Sequence, residues 1–291
     1  MFAILGATGN IGRSTIGELR RVGAPVRAIV RNHDAAQALR ALGCEVAFAD
    51  IGDSDALRNA LRRATAVQVI CPMSVSAEDS TAEMQSNIAA IAAALDETRP
   101  RSVLAISDYG AHHASGTGIA LIFRHLEDAL KKLNVSLTLL RSAEHMQNWR
   151  RLARRAITSG VLPSLHHPTT KRFPTVFASD VGAIAADLLK DEEQALLRVV
   201  HVEGPERYSA EDVARVLGEL AGRPIVAREL PQGDWAPALV GGGLSADYAD
   251  LVAKMYAAHN AGRIDVEQGV GETRFGKTGL RQARASMIAA G

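Results

Sequence analysis

The sequence predicts an α/β chain built on a doubly wound parallel sheet, with a smaller, irregular α/β lobe in its C-terminal half. Three observations carry this. Short, continuously apolar segments alternate with amphipathic helical stretches over roughly the first 150 residues, as strands covered on both faces by crossover helices require. The first apolar segment runs directly into glycines at 6, 9 and 12 and then into a helical pattern. After Arg141 the alternation breaks into a basic helical stretch at 147–158 and an irregular segment holding Pro163, Pro168 and Pro174.

The first strand, at 2–5, feeds Gly6-Ala7-Thr8-Gly9-Asn10-Ile11-Gly12, and a helix follows at 13–22. Gly6 permits the tight turn, Gly9 lets a pyrophosphate approach the backbone, and Gly12 lets the helix pack closely on the strand. The free N–H groups around Thr8, Asn10 and Ile11 then face the phosphates. This is the signature of a Rossmann-type dinucleotide site. The second strand, at 26–30, ends in Arg31-Asn32-His33, where an NAD-preferring site would carry a carboxylate for the ribose hydroxyls. A guanidinium there pairs with a 2′-phosphate, so the expected cofactor is NADP(H) in preference to NAD(H).

A helix at 33–42 leads to a third strand at 45–49, followed by Asp50 and Ile51 as candidate adenine contacts. Asp50 serves equally well as the cap of a helix at 54–62. The fourth strand, at 66–70, is followed by Cys71-Pro72-Met73, a loop placed to lie over the cofactor ribose; a buried cysteine also packs as a plain hydrophobe. A helix at 81–97, a strand at 103–106, a helix at 118–133 and a strand at 137–140 complete the alternation, with a later strand near 198–202. The reading is a nucleotide-binding domain at 1–150, with segments near 175–203 returning to it, and a lobe at 151–291 covering the strands' carboxyl ends. Gly241-Gly242-Gly243 reads as a loop.

Composition narrows the function classes. With 33 basic and 32 acidic residues and 4% aromatics, the chain offers neither a nucleic-acid platform nor a charged patch for a membrane. No apolar run is long enough to span a bilayer, and the first strand begins at Phe2 with no room for a signal peptide. Cys44 and Cys71 lack metal-ligand spacing. A cytoplasmic protein is expected. The pairs His112-His113 and His166-His167 read as loop histidines, since adjacent residues rarely converge on one metal. The basic run Arg150, Arg151, Arg154 and Arg155 reads as a solvated helix face.

The glycine segment, Val30-Arg31, Ser136-Leu137-Thr138-Leu139-Leu140-Arg141 and His145-Met146-Gln147-Asn148 together resemble the NmrA-like group of atypical short-chain dehydrogenases. Gly160-Val161-Leu162-Pro163, Ala178-Ser179-Asp180-Val181-Gly182, Glu203-Gly204-Pro205-Glu206-Arg207-Tyr208-Ser209 and Gly276-Lys277-Thr278-Gly279 follow in that group's order. The resemblance covers nearly the whole chain. It implies a branch with bacterial NAD(P)H:quinone oxidoreductases, beside branches of NADP(H)-sensing regulators.

Ordinary short-chain dehydrogenases pair a tyrosine with a lysine four residues on, because the lysine lowers the phenol's pKa. Counting back from Thr138-Leu139-Leu140-Arg141, Phe123 falls at the tyrosine position and Glu127 at the lysine position. Phenylalanine carries no proton, and a carboxylate would raise a phenol's pKa, so carbonyl chemistry of the ordinary kind is disfavoured. The resemblance leaves Ser107 as a hydrogen-bonding group beside the nicotinamide and Glu127 either as a ribose contact or as a structural carboxylate. His125, on the same helix, is either a proton carrier near neutrality or a solvated histidine. Tyr109, His145, Asn148 and Trp149 are expected to border the acceptor pocket. Two functions fit: an NADPH-dependent reductase of quinones or similar small electrophiles, and a cofactor sensor whose occupancy alters binding of a regulatory protein partner. Quinone reduction asks little of a protein beyond positioning, which favours the first. A homodimer is compatible with the chain, although no segment specifies its surface.

Overall fold

The computed structural model describes residues 1–191 and 195–288. In chain order come β1 (Phe2–Ile4), α1 (Asn10–Arg21), β2 (Val26–Val30), α2 (Ala36–Ala41), β3 (Glu45–Phe48), α3 (Ser54–Leu61) and β4 (Ala66–Val69). Then follow α4 (Ser80–Thr98), β5 (Ser102–Asp108), α5 (Ala120–Leu130), β6 (Ser136–Ser142) and β7 (Glu144–His145). After a 3-10 turn at Met146–Trp149 come α6 (Arg150–Ser159), β8 (Val161–Ser164), β9 (Thr175–Val176), α7 (Ala178–Lys190) and β10 (Leu197–Glu203). The chain continues through α8 (Ala210–Ala221), β11 (Val226–Glu229), α9 (Trp235–Gly241), α10 (Ala246–Asn260), β12 (Glu272–Phe275) and α11 (Leu280–Ala283).

Eight strands form one sheet in the order β12-β10-β6-β5-β4-β1-β2-β3, and every pairing in it is parallel. The order reverses between β1 and β4, which opens a crevice at their carboxyl ends. The doubly wound class is as the sequence predicts. The central strands are apolar because both faces are covered: all four residues of β4 are buried, as are the first six of β5.

One feature of the packing comes from far along the chain. α7 lies across α1, and a Cβ at Gly182 would overlap the carbonyl oxygen of Ile11. The Ser14 hydroxyl donates to the carbonyl of Ser179 at 2.6 Å, and that of Thr15 donates to the Gln68 side chain at 2.9 Å. The helix that begins at the glycine turn is thereby clamped between the sheet and a segment over 160 residues away in sequence.

α7 and β10 fall in the 175–203 stretch expected to return to the first domain, and β10 extends the main sheet; beyond that stretch β12 also extends it and α10 contributes Ala249, Val252, Met255 and Ala258 to the main core. A second, smaller core gathers Met146, Trp149, Ala153, Leu162, Phe173, Val213, Leu217, Leu280 and Met287 from α6, β8, α8 and the last helical turns. β12 went unmarked in the sequence because an edge strand with outer residues exposed shows neither a continuous apolar run nor a clear alternation. Gly241 is the last residue of α9 rather than part of a loop, which begins at Gly242.

Candidate functional site

The glycine turn divides its labour in a way the side-chain geometry makes visible. Gly6 has a φ of +74°, and a Cβ there would stand 2.8 Å from the Cβ of Ile70. A Cβ at Gly12 would overlap the carbonyl oxygen of Gly6. Both glycines are therefore demanded by the protein itself. At Gly9 the nearest atom to such a Cβ is the Gly6 oxygen, at an ordinary 3.6 Å, so the fold has no need of a glycine there.

Gly9 is also the N-cap residue of α1, which carries neither a side-chain cap nor an acidic residue in its first turn. α3, α4, α8 and α10 are capped by the side chains of Asp53, Asp79, Ser209 and Ser245, whereas α2, α5, α6, α7 and α9 share with α1 the lack of a side-chain cap. The first amides of α1, from Asn10 to Gly12, are left for an anion.

Two cavities flank this turn along the strand ends and share Ile70. The first, of about 140 Å³, is lined by Gly6, Thr8, Val30, Arg31, Ile51 and Pro72 among others. Arg31 is exposed on its rim and makes no hydrogen bond or ion pair with the described residues. Asp50 is not part of this lining. Its carboxylate accepts from the Gly52 amide at 2.9 Å, and the cap of α3 is Asp53, which accepts from the Asp55 and Ala56 amides. The cap role foreseen for Asp50 falls to Asp53.

The second cavity, of about 170 Å³, lies where β4, β5 and β6 end. Its wall includes Ile11, Cys71, Ser107, Phe123, His145 and Asn148, with Met255 and His259 of α10 forming another side. Phe123 stands in this wall, as the count from Arg141 places it. Glu127, one turn further along α5, does not. It is 1% exposed and sits under Ser107, whose hydroxyl donates to it at 2.7 Å. Arg141, 4% exposed, forks onto both of its oxygens at 2.8 and 2.7 Å, and Lys131 adds a contact at 3.3 Å. Burial alone would raise the pKa of Glu127, but Arg141 and Ser107 outweigh it and hold the carboxyl below its usual range. The other end of Arg141 pairs with Glu267. Glu127 is thus a structural carboxylate with no oxygen left for a ribose, and Ser107 has committed its proton to it.

His125 faces away from both cavities and meets Gln85 of α4 at 3.2 Å on the exposed side of the helix. Tyr109, 1% exposed, packs edge-on against His201 of β10 with ring centroids 5.6 Å apart, and Trp149 joins the second core against Phe173. Their rings bury more apolar area in those cores than a cavity wall would offer. Of the four residues expected to border the acceptor pocket, His145 and Asn148 line it, and Tyr109 and Trp149 do not. Cys71 lies in the second cavity and Pro72 in the first; burial pushes the Cys71 thiol up to about 12, so it stays an unreactive thiol near neutrality.

Sequence reasoning missed a buried polar cluster behind this wall. Glu144 accepts from the Tyr256 hydroxyl at 2.7 Å and contacts His166 Nε2 at 2.8 Å. His166 lies in the loop after β8, yet it is 1% exposed and stacks on Phe173 with centroids 3.4 Å apart. Burial would raise the Glu144 carboxyl, yet these partners bring it well below the usual carboxylate range, while burial holds His259 down to about 3, the charge on His166 adding to the effect. Asp108 also lines the cavity, and burial followed by the charge of Glu144 pushes its carboxyl up to about 7. The members are scattered over residues 108–259, and no local spacing unites them. No group of three among the described residues is placed to hold a metal ion, and none of the described helices is long and apolar enough to cross a membrane.

Comparison with known proteins agrees with this architecture. Quinone oxidoreductase 2 of Escherichia coli (strain K12) is 29% identical over 257 residues, 87% of this chain and 86% of that protein. The crystal structure of an NADPH-dependent quinone oxidoreductase from Escherichia coli complexed with NADPH superposes with a TM-score of 0.81 at 24% identity, covering 98% of this chain and 99% of that one. That of the Citrobacter sp. triphenylmethane reductase complexed with NADP(H) gives 0.82 at 19% identity, over 99% of this chain and 100% of that one. The model of the NmrA-like family matches residues 1–275, and the chain belongs to that family.

Proposed function

We propose that this protein is an NADPH-dependent reductase of quinones or similarly small, electron-poor acceptors. The observation that carries the reading is the opening at Gly9: a glycine the fold does not need, at the head of an uncapped helix, between two cavities along the strand ends. The residues fit a dinucleotide phosphate. Amides from Asn10 to Gly12 would hold the pyrophosphate, and Arg31, free on the rim of the first cavity, would pair with a 2′-phosphate. Bound NADPH supplies hydride at its nicotinamide, which the order of the sheet directs toward the second cavity.

There the protein positions rather than activates. The Ser107 hydroxyl is held by Glu127, which is held by Arg141, so the oxygen of Ser107 presents a lone pair of fixed direction to the cofactor side. Ile11, Ile70, Ile106 and Phe123 exclude water from one side of an acceptor ring. With Phe123 in the wall and no lysine or arginine in its described lining, the cavity lacks the tyrosine and lysine pair by which ordinary short-chain dehydrogenases activate a ketone. The activities of the relatives, an Escherichia coli quinone oxidoreductase and a Xenophilus azovorans NAD(P)H azoreductase, support the same reading.

The test is a titration with NADPH and NADH followed by NADPH consumption with a panel of quinones. Tight NADPH binding with turnover well above the uncatalysed rate is expected. Tight binding with no turnover on any acceptor would overturn the reductase and favour a cofactor sensor.

A further inference from the structure

Reduction of a quinone consumes a proton as well as a hydride, and the cavity wall holds few groups able to give one. Ser107 has donated its hydrogen to Glu127. Glu144 has one oxygen against His166 and the other against the Tyr256 hydroxyl, and burial with those contacts keeps it ionised. His145 shares a hydrogen bond with Ser142 at 3.1 Å, and burial lowers its pKa, as it does that of His259, so neither ring is an acid near neutrality. Phe123 has no acidic proton, and Asn148 is a neutral amide. Asp108 remains, at the carboxyl end of β5 next to Ser107, partly open to the cavity, with no described side chain hydrogen-bonded to its carboxyl.

We propose that Asp108 is the catalytic acid of the reduction, giving its carboxyl proton to the acceptor oxygen as that acceptor receives hydride. The inference rests on the reductase reading above. The acceptor gains a hydride with its electron pair and becomes an oxyanion. The O–H bond of Asp108 breaks as the O–H bond of the hydroquinone forms, and the carboxylate left behind recovers a proton from water. NADPH, quinone and one proton give NADP⁺ and hydroquinone.

The surroundings of Asp108 explain why a carboxyl can serve. From β7 the ionised Glu144 opposes its charge; from α10 it faces the neutral Tyr248, with Arg151 of α6 acting on that tyrosine; the neighbouring Tyr109 amide is the one group that favours the carboxylate. Two carboxyls in one cavity are thus driven apart, Glu144 toward the anion and Asp108 toward the acid, with Asp108 titrating at about 7. Because the acid form is the active one, turnover should fall as pH rises through that value.

Two readouts test this. Isotope-edited infrared spectra of the cofactor-free protein should show a protonated carboxyl that titrates at about 7 and is missing from Asp108→Asn. In Glu144→Gln, loss of the opposing charge should move that midpoint to lower pH. In turnover, Asp108→Asn should lower kcat with a quinone by about 100-fold and abolish the fall at alkaline pH. A quinone kcat and alkaline limb unchanged in Asp108→Asn, or a carboxyl already ionised well below neutrality, would overturn the assignment. Absence of NADPH oxidation by the wild type would instead defeat the reductase reading, and the infrared titration would still decide the state of Asp108.

Discussion

The two halves of the cleft are made from different materials. Around the phosphate turn the protein contributes backbone: glycines, free amides and a cavity whose described lining has one charged side chain, Arg31. Around the second cavity it contributes buried side-chain charge, with Glu127, Arg141 and Glu144 all less than 8% exposed and all held by partners. A site built from backbone can be read off a short stretch of sequence, because its parts are consecutive. A site built from paired side chains must be assembled from remote elements, and each member depends on another for its own stability.

The comparison breaks if the second half tolerates loss of a partner. Arg141→Met would leave the buried Glu127 carboxylate with only Lys131 and the Ser107 hydroxyl as partners and should cost about 3 kcal/mol in denaturant unfolding; a loss below about 1 kcal/mol would show that the pair is not what keeps the acid buried. Gly9→Val probes the first half in the opposite sense. It should weaken NADPH binding at least ~100-fold, about 2.7 kcal/mol, while leaving the unfolding midpoint close to wild type, since a Cβ there meets only a carbonyl oxygen at 3.6 Å. If instead the fold failed and binding per folded molecule held, the turn would be structural. Arg31→Ala sharpens the cofactor assignment: calorimetry should show NADPH affinity down roughly tenfold, about 1.4 kcal/mol, with NADH affinity unchanged. At the small end, His125→Ala should shift stability by no more than about 0.5 kcal/mol and leave turnover intact, because the imidazole meets only Gln85 on the outer face of α5.

The same contrast accounts for what was legible in the sequence. The Rossmann sheet, the glycine turn and Arg31 were legible because period, spacing and chain order encode them locally. Phe123 was placed in the wall by a count of residues, since α5 and β6 are joined by a short connection that fixes their register. Tyr109 and Trp149 were misplaced because adjacency to a pocket residue does not tell which core an aromatic ring will enter. Glu127 and His125 are two residues apart on one helix, yet one is buried under Ser107 and the other faces α4; helical geometry separates them by most of a half-turn. The Glu144 cluster was invisible, because His166 meets it from 22 residues away and Tyr256 from 112, with His259 on the same distant helix. β12 and α10 joined the main core against the expected boundary for a related reason: their return is a tertiary event.

The opening at Gly9 has an evolutionary meaning. Selection for folding acts on Gly6 and Gly12, since any side chain there collides with the protein's own atoms, but folding is indifferent to residue 9. A descendant that abandoned its nucleotide would keep the outer two glycines and drift at the middle one without losing its shape. On the function proposed above, the middle glycine is a record of use, and across a lineage its replacement would date the moment at which a member of the fold ceased to need the ligand.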